Sequence, residues 1–273
     1  MTGPSRLDRT LIRISGPDAR SLLQGLLTQD LDRLDQTRVQ YGALLSPQGK
    51  IAADMILWAE PEGAVIIDAD PARGPDLLRR LGMYKLRANA AIEDVSDRLC
   101  VLVNDAPFQA ARPDPRFPNG ELGWRALAAP AQAADGAAWL ETRRLALGIP
   151  DLVRDAAPDE VFALEAVLEE LHGVDFKKGC FVGQENVSRM KRRATTRKKF
   201  CPVTFEGPPP AYGTPLMAGA AEVGSIRSGG EGRALALVRL DRALAADAPL
   251  TAEGRQMRLD PPSWLILPEP AGE

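Results

Sequence analysis

The chain has 273 residues, of which 45% are hydrophobic and 26% charged, and its formal net charge is −3. That length supports a sizeable core in one large domain or two unequal ones, and the slight acidity excludes a nucleic-acid-binding polycation. Three widely spaced cysteines (Cys100, Cys180, Cys201) and a single histidine, His172, argue against a disulfide framework and against a zinc site built by this chain alone. No apolar run approaches the ~20 residues of a membrane span. The first ten residues carry no apolar secretory segment, so the expectation is a soluble cytoplasmic protein.

Residues 11–15 form a short strand. Gly16-Pro17-Asp18 then opens a helix that Asp18 caps, with Leu22, Leu23, Leu26 and Leu27 on one apolar face. Residues 39–45 and 51–58 are apolar and β-prone, and Ser46-Pro47-Gln48-Gly49 between them is a turn, so the pair predicts a hairpin. A strand over 64–69 follows, then a helix opened by Pro75 and running to about Tyr84. Residues 91–95 and 99–103 are strands. Residues 106–120, with four prolines, are irregular. Helices are expected over 139–147 and 160–171, the second with Val161, Leu164, Val167, Leu168 and Leu171 on one stripe. Residues 173–184 are irregular, and 185–193 are helical. Beyond Lys199 the segments 224–226, 234–240 and 257–259 are short, apolar and punctuated by glycine, which predicts a small all-β module of about 70 residues. The fold class is α+β, with a first domain over 1–197, able to divide into two subdomains, and a β-rich barrel-like domain over 198–273.

The most informative stretch is Lys177-Lys178-Gly179-Cys180-Phe181-Val182-Gly183-Gln184-Glu185. Two glycines bracket a cysteine and let the backbone turn sharply beside the thiol. A helix follows and two lysines precede, and both helix N-termini and nearby cations favour a thiolate. The chemistry leaves two readings open, an exposed reactive thiolate or a structural cysteine buried in a tight turn.

Lys178-Gly179-Cys180-Phe181-Val182-Gly183-Gln184-Glu185 resembles the K-G-C-Y/F-x-G-Q-E signature of the YgfZ/glycine-cleavage-T-protein-like family. Arg189 falls where that family usually has an arginine, and Phe181 stands where tyrosine is commoner. Leu23-Gln24-Gly25-Leu26-Leu27-Thr28-Gln29-Asp30 is similar to the family's L-Q-G-x-x-T-x-D segment, and Ser46-Pro47-Gln48-Gly49-Lys50 to its P-x-G-K/R turn. Tyr84-Lys85-Leu86-Arg87 with Ile92-Glu93-Asp94 resembles a further K-x-x-x-R-x-x-V-x-I-x-D stretch. Together these cover roughly residues 5–200, and 98–138 matches no motif of the family.

The resemblance implies the fold of the folate-dependent aminomethyltransferase of the glycine cleavage system. The expectation is therefore an aminomethyltransferase-like folate-binding domain around a central cavity, with a small C-terminal β-barrel-like module. Tetrahydrofolate, or a one-carbon derivative, asks for a carboxylate to accept pterin N–H donors, an apolar slot for the ring and cations for the glutamate tail. By resemblance Glu165 holds the pterin and Asp54 lies near the reactive nitrogen, with Lys178, Gln184 and Arg189 completing the folate-binding set. Read from the residues alone, Glu165 is equally a solvated helix glutamate and Asp54 an edge-strand aspartate, although a lone aspartate in a β-prone apolar run is disfavoured. The basic run Arg189, Lys191, Arg192, Arg193, Arg197, Lys198 and Lys199 suits a solvated helix end, a polyglutamyl folate tail or an anionic partner such as tRNA. His172 reads as a helix C-terminal residue, and Cys100 and Cys201 as core.

The function implied is a tetrahydrofolate-binding accessory factor for assembly or repair of 4Fe–4S proteins, without classical aminomethyltransferase turnover and acting through Cys180. Iron–sulfur client enzymes, including radical enzymes that modify tRNA, would be its partners. A cluster normally takes four thiolates, so a lone cysteine acts transiently, shares a cluster, or forms a mixed disulfide. The competing readings are a folate-dependent aminomethyl or one-carbon transferase and a tRNA-binding module.

Overall fold

The computed structural model describes residues 3–130, 134–193 and 196–268. Two compact units emerge. The first comprises Met1–Leu140 with Leu171–Gln184, and the second Glu141–Glu170 with Glu185–Glu273. No helix among the described residues is long and apolar enough to cross a membrane.

The first unit is organised by an antiparallel sheet in the order Val39–Leu45, Ile51–Ala59, Val65–Ala69, Thr10–Ser15, Ala91–Asp94. Its central strands are buried on both faces: all five residues of Val65–Ala69 are buried, as are seven of the nine in Ile51–Ala59. Such strands read as continuous apolar runs rather than alternations. The hairpin expected around Ser46-Pro47-Gln48-Gly49 forms, with Ala43 opposite Asp54 and Tyr41 opposite Ile56. Helix Ala19–Leu26 buries Ala19, Leu23 and Leu26, and helix Gly74–Lys85 buries Leu77 and Leu81. These leucines join Ile12, Ile14, Leu44, Met55, Leu57 and Ile67 in one core. At ~25 cal/mol per Å² of apolar surface, each fully buried leucine or isoleucine contributes about 1.5–3 kcal/mol. Asp18 does stand at the N-cap, but its side chain makes no cap bond. It accepts instead from the Asn89 backbone N–H at 2.7 Å, tying the helix start to a distant loop.

A second sheet of this unit runs Ala134–Asp135, Ser5–Leu7, Cys100–Asn104, Trp124–Ala128, Arg112–Pro113. Strand Trp124–Ala128 lay in a stretch without a recognisable motif. Arg112–Pro113 is the short edge to which the proline-rich segment contributes, consistent with the confinement of proline to sheet edges.

In the second unit a six-stranded barrel closes on itself. Lys198–Thr204, Arg233–Arg239, Ala221–Gly230, Pro215–Ala218, Leu250–Ala252 and Arg255–Leu259 follow in order, and Val203 pairs with Leu259 to complete the ring. Closure leaves no free edge. Phe200, Cys201, Val203, Ile226 and Leu235 of its strands are fully buried. The β-rich C-terminal module is thus as expected, with two strands, Pro215–Ala218 and Leu250–Ala252, that periodicity did not reveal.

The helix expected over 160–171 is absent. The segment is a series of turns, with the Leu168 N–H bonded to Ala163 O rather than to Leu164 O. Val167 adopts a left-handed φ of 53°, which breaks any helical ladder. All five residues of the supposed stripe are buried, but so are Ala163 and Ala166 between them. Burial on every side carries no helical period. His172, with a φ of 57°, therefore ends no helix.

Candidate functional site

Three of the motif segments meet in the first unit. The 23–30 segment forms the end of helix Ala19–Leu26 and the turn after it. Thr28 is its hinge: its backbone N–H donates to Ala43 O, its hydroxyl donates to Gly173 O at 2.6 Å, and its carbonyl accepts from the Asp175 N–H at 2.9 Å. The cysteine loop then lies along the helix end, with the Val182 N–H on Gly25 O at 3.2 Å. Gly183 seats it against the hairpin turn. A Cβ there would fall 2.6 Å from Ser46 O and 3.0 Å from Gly49 Cα, and φ is +81°. Only glycine satisfies both demands.

Cys180 stands at the apex of this loop and is exposed, while Cys100 and Cys201 are buried as expected. Burial pushes the Cys201 thiol up to about 12. The flanking side chains point inward. Phe181 is buried, and Lys178 sends its ammonium to Gln24 O, Leu27 O and Gln29 O at 2.8, 2.6 and 2.8 Å. Those three acceptors match its three donors. Gln184, half-buried, begins helix Gln184–Arg192.

Asp54 is half-buried on strand Ile51–Ala59 and accepts from the Tyr41 hydroxyl at 3.0 Å. Burial, then the charge of Asp54, hold the Tyr41 phenol well above its ordinary value. The Arg116 guanidinium lies over the Tyr41 ring, 5.6 Å from its centroid. Arg116 pairs with Asp114 at 2.9 Å, Asp114 with Arg125 at 2.7 Å, and Arg125 with Asp68 at 3.0 Å. Arg9 closes the chain on the other oxygen of Asp68. Burial opposes the charge on Asp114, but Arg116 and Arg125 outweigh it and hold its carboxyl well below the usual carboxylate range. Sequence reasoning named only Asp54 of this group. Asp68, inside the apolar run Val65–Ala69, carried the same signal as Asp54, a carboxylate in a buried strand.

Glu165 and Arg189 belong to the second unit. Glu165 is half-buried in the turn segment, and its Oε2 accepts from the Phe162 N–H at 3.0 Å. Arg189 is exposed and donates to Asn186 one turn earlier in its helix. In the basic run, Lys191 pairs with Glu169, and Lys199, buried, pairs with Glu170. Both lysines line a cleft of about 180 Å³ with Leu164, Met190, Thr196 and Ile266. Among the described residues no three His, Cys, Asp or Glu side chains converge as a metal site.

Comparison with known proteins agrees with this architecture. Residues 9–104 match the family model described as the GCVT N-terminal domain, and residues 197–266 match the one described as the CAF17 C-terminal beta-barrel domain. The iron-sulfur cluster assembly factor IBA57, mitochondrial, of Homo sapiens is 30% identical over 301 residues, covering 95% of this chain and 84% of the human protein. The IBA57 homolog of Mycosarcoma maydis is 31% identical over 74% of this chain, which spans 58% of the fungal protein's length. The glycine cleavage system aminomethyltransferase T from Bartonella henselae aligns with a TM-score of 0.76 over 96% of this chain and 86% of its own, at 16% identity, and so shares the fold. The relatives are named as mitochondrial proteins, which overturns the expectation of a cytoplasmic location. With 95% of this chain matched to the human relative at 30% identity, the chain belongs to the YgfZ/IBA57 family of iron–sulfur cluster assembly factors, built on the aminomethyltransferase-like fold.

Proposed function

We propose that the chain is a tetrahydrofolate-binding factor that assists assembly or repair of 4Fe–4S proteins through the thiolate of Cys180. The observation that carries this is the convergence of three motif segments beneath one exposed thiol, in a chain whose other two cysteines are buried. A thiol presented at a loop apex, with its neighbours anchored, is reachable by a macromolecule. Cys180 supplies one ligand to a cluster in transit, and the remaining thiolates of the usual four come from a client or carrier protein. Iron–sulfur enzymes are the clients, with radical enzymes that modify tRNA as one class.

Asp54 is oriented by the Tyr41 hydroxyl and Glu165 by its bond to the Phe162 N–H. The family resemblance assigns Glu165 to the pterin N–H donors and Asp54 to the reactive nitrogen. When bound, tetrahydrofolate supplies a carrier for one-carbon units. The likeness to an aminomethyltransferase supports a second reading, folate-dependent aminomethyl transfer, in which Asp54 matters and Cys180 does not.

Rescue of a deletion strain separates these. Cys180→Ala is expected to lose restoration of iron–sulfur enzyme activity, and full restoration removes the thiol from the mechanism. Calorimetry with tetrahydrofolate is expected to show binding that weakens about tenfold or more in Glu165→Gln and Asp54→Asn. Absence of binding heat in the wild type rejects the folate site.

A further inference from the structure

We infer that Lys178 is a tethered cation, whose ammonium plugs a cage of three backbone carbonyls at the end of helix Ala19–Leu26 and so sets the position from which Cys180 is presented. The helix leaves its last carbonyls without intrahelical partners and gathers partial negative charge there. Gln24 O lies in that last turn, and Leu27 O and Gln29 O follow as the chain leaves the helix. Nζ sits 2.6–2.8 Å from all three oxygens, the spacing of charge-assisted hydrogen bonds. The Phe181 ring, 5.2 Å from Nζ at its centroid, covers the cation on another side. Burial works against its charge and lowers the ammonium from its ordinary value, while Asp30, Asp175 and Asp32 favour the charge from further off.

The consequence lies two residues on. Asp175 Oδ1 accepts from the Lys177 and Lys178 N–H groups, and Val182 is bonded to Gly25 O. Between these anchors Gly179 and Cys180 are exposed, so the thiol is held by the buried lysine stem on one side and the buried Phe181 ring on the other. Arginine cannot take this place, because its planar fork does not match three carbonyls converging on one point. Lys178 is thus a positioning residue. The inference rests on Cys180 being the working group, yet its test reads loop geometry, so either claim can fail alone.

Two experiments on the full chain test it. In the wild type, acylation of lysines by an activated ester, read by peptide mass spectrometry, is expected to label exposed Lys177 about tenfold or more faster than Lys178. Equal rates overturn the cage, and this comparison needs no variant to fold. In Lys178→Ala, proteolysis within 175–183 is expected to rise about tenfold, and the iodoacetamide alkylation rate of Cys180 to shift with it. Ammonium chloride is expected to restore both toward wild type, and tetramethylammonium chloride, too large for the cage, to restore neither. Unchanged cleavage and alkylation in the variant overturn the inference, as does rescue by both salts alike or by neither.

Discussion

Tyr41 and Asp54 are diagonal neighbours on one face of the hairpin, and the phenol hydroxyl donates to the carboxylate at 3.0 Å. The bond orients Asp54, and Arg116 stacked on the same ring fixes Tyr41 in turn. Tyr41→Phe is therefore expected to weaken tetrahydrofolate about tenfold, and Asp54→Asn at least as much. In a double-mutant cycle the two should couple by about 0.5–3 kcal/mol. Strictly additive effects by calorimetry would show that Tyr41 does not act through Asp54.

The ionic chain Arg116–Asp114–Arg125–Asp68 is almost wholly buried at its centre. Arg125→Met takes one of two cationic partners from each of the buried carboxylates Asp68 and Asp114, leaving Arg9 and Arg116, and a cost of about 3 kcal/mol is expected in urea unfolding. Arg79→Ala removes an exposed pair with Asp76 and should cost about 0–1 kcal/mol. Similar losses in the two variants would contradict the burial argument.

Acid should reach the same network. The folded Asp114 carboxyl is held below its unfolded value of 3.8, so the unfolded chain takes up its proton first. Its stabilisation is complete above that value and fades as pH falls below it. Asp114→Asn is expected to be less stable at neutral pH and to show a flatter acid limb than the wild type when stability is measured from pH 5 downward.

The glycines beside Cys180 are not equivalent. Gly183→Ala meets Ser46 O and holds alanine at a left-handed φ, so a loss of about 1–3 kcal/mol is expected, with displacement of the loop from the hairpin turn. Gly179 has nothing within 4 Å of an added Cβ, and Gly179→Ala should melt within experimental error of the wild type. Thermal unfolding of the pair, together with Cys180 alkylation rates, checks both halves.

Lys178 supplies a signature in alkali. Burial lowers its ammonium to about 8, against 10.5 unfolded. Between those values the unfolded chain binds more protons than the folded one, so the wild type should gain stability relative to Lys178→Met as pH rises from 8 to 10.5. Parallel pH profiles for the two proteins would mean that the ammonium is not desolvated.

What was legible in the sequence was local. The hairpin around Ser46-Pro47-Gln48-Gly49, the helix opened by Pro75 and the glycine-bracketed cysteine each depend on neighbouring residues, whose dihedral preferences and apolar periods act over a few positions. The core assignment of Cys100 and Cys201 followed from the same apolar runs. Residues 160–171 show where this ends: apolar residues on every side give burial but no period, and Val167 takes a backbone conformation that its side chain disfavours. Only the tertiary structure decided that Lys178 faces carbonyls 149–154 residues away, that the proline-rich segment delivers Asp114 and Arg116 to the network beside Asp54, and that the last strand of the barrel pairs with the first. Such contacts join residues distant in the chain, whose pairing is set by how buried charges and unpaired backbone groups find partners once the chain has collapsed.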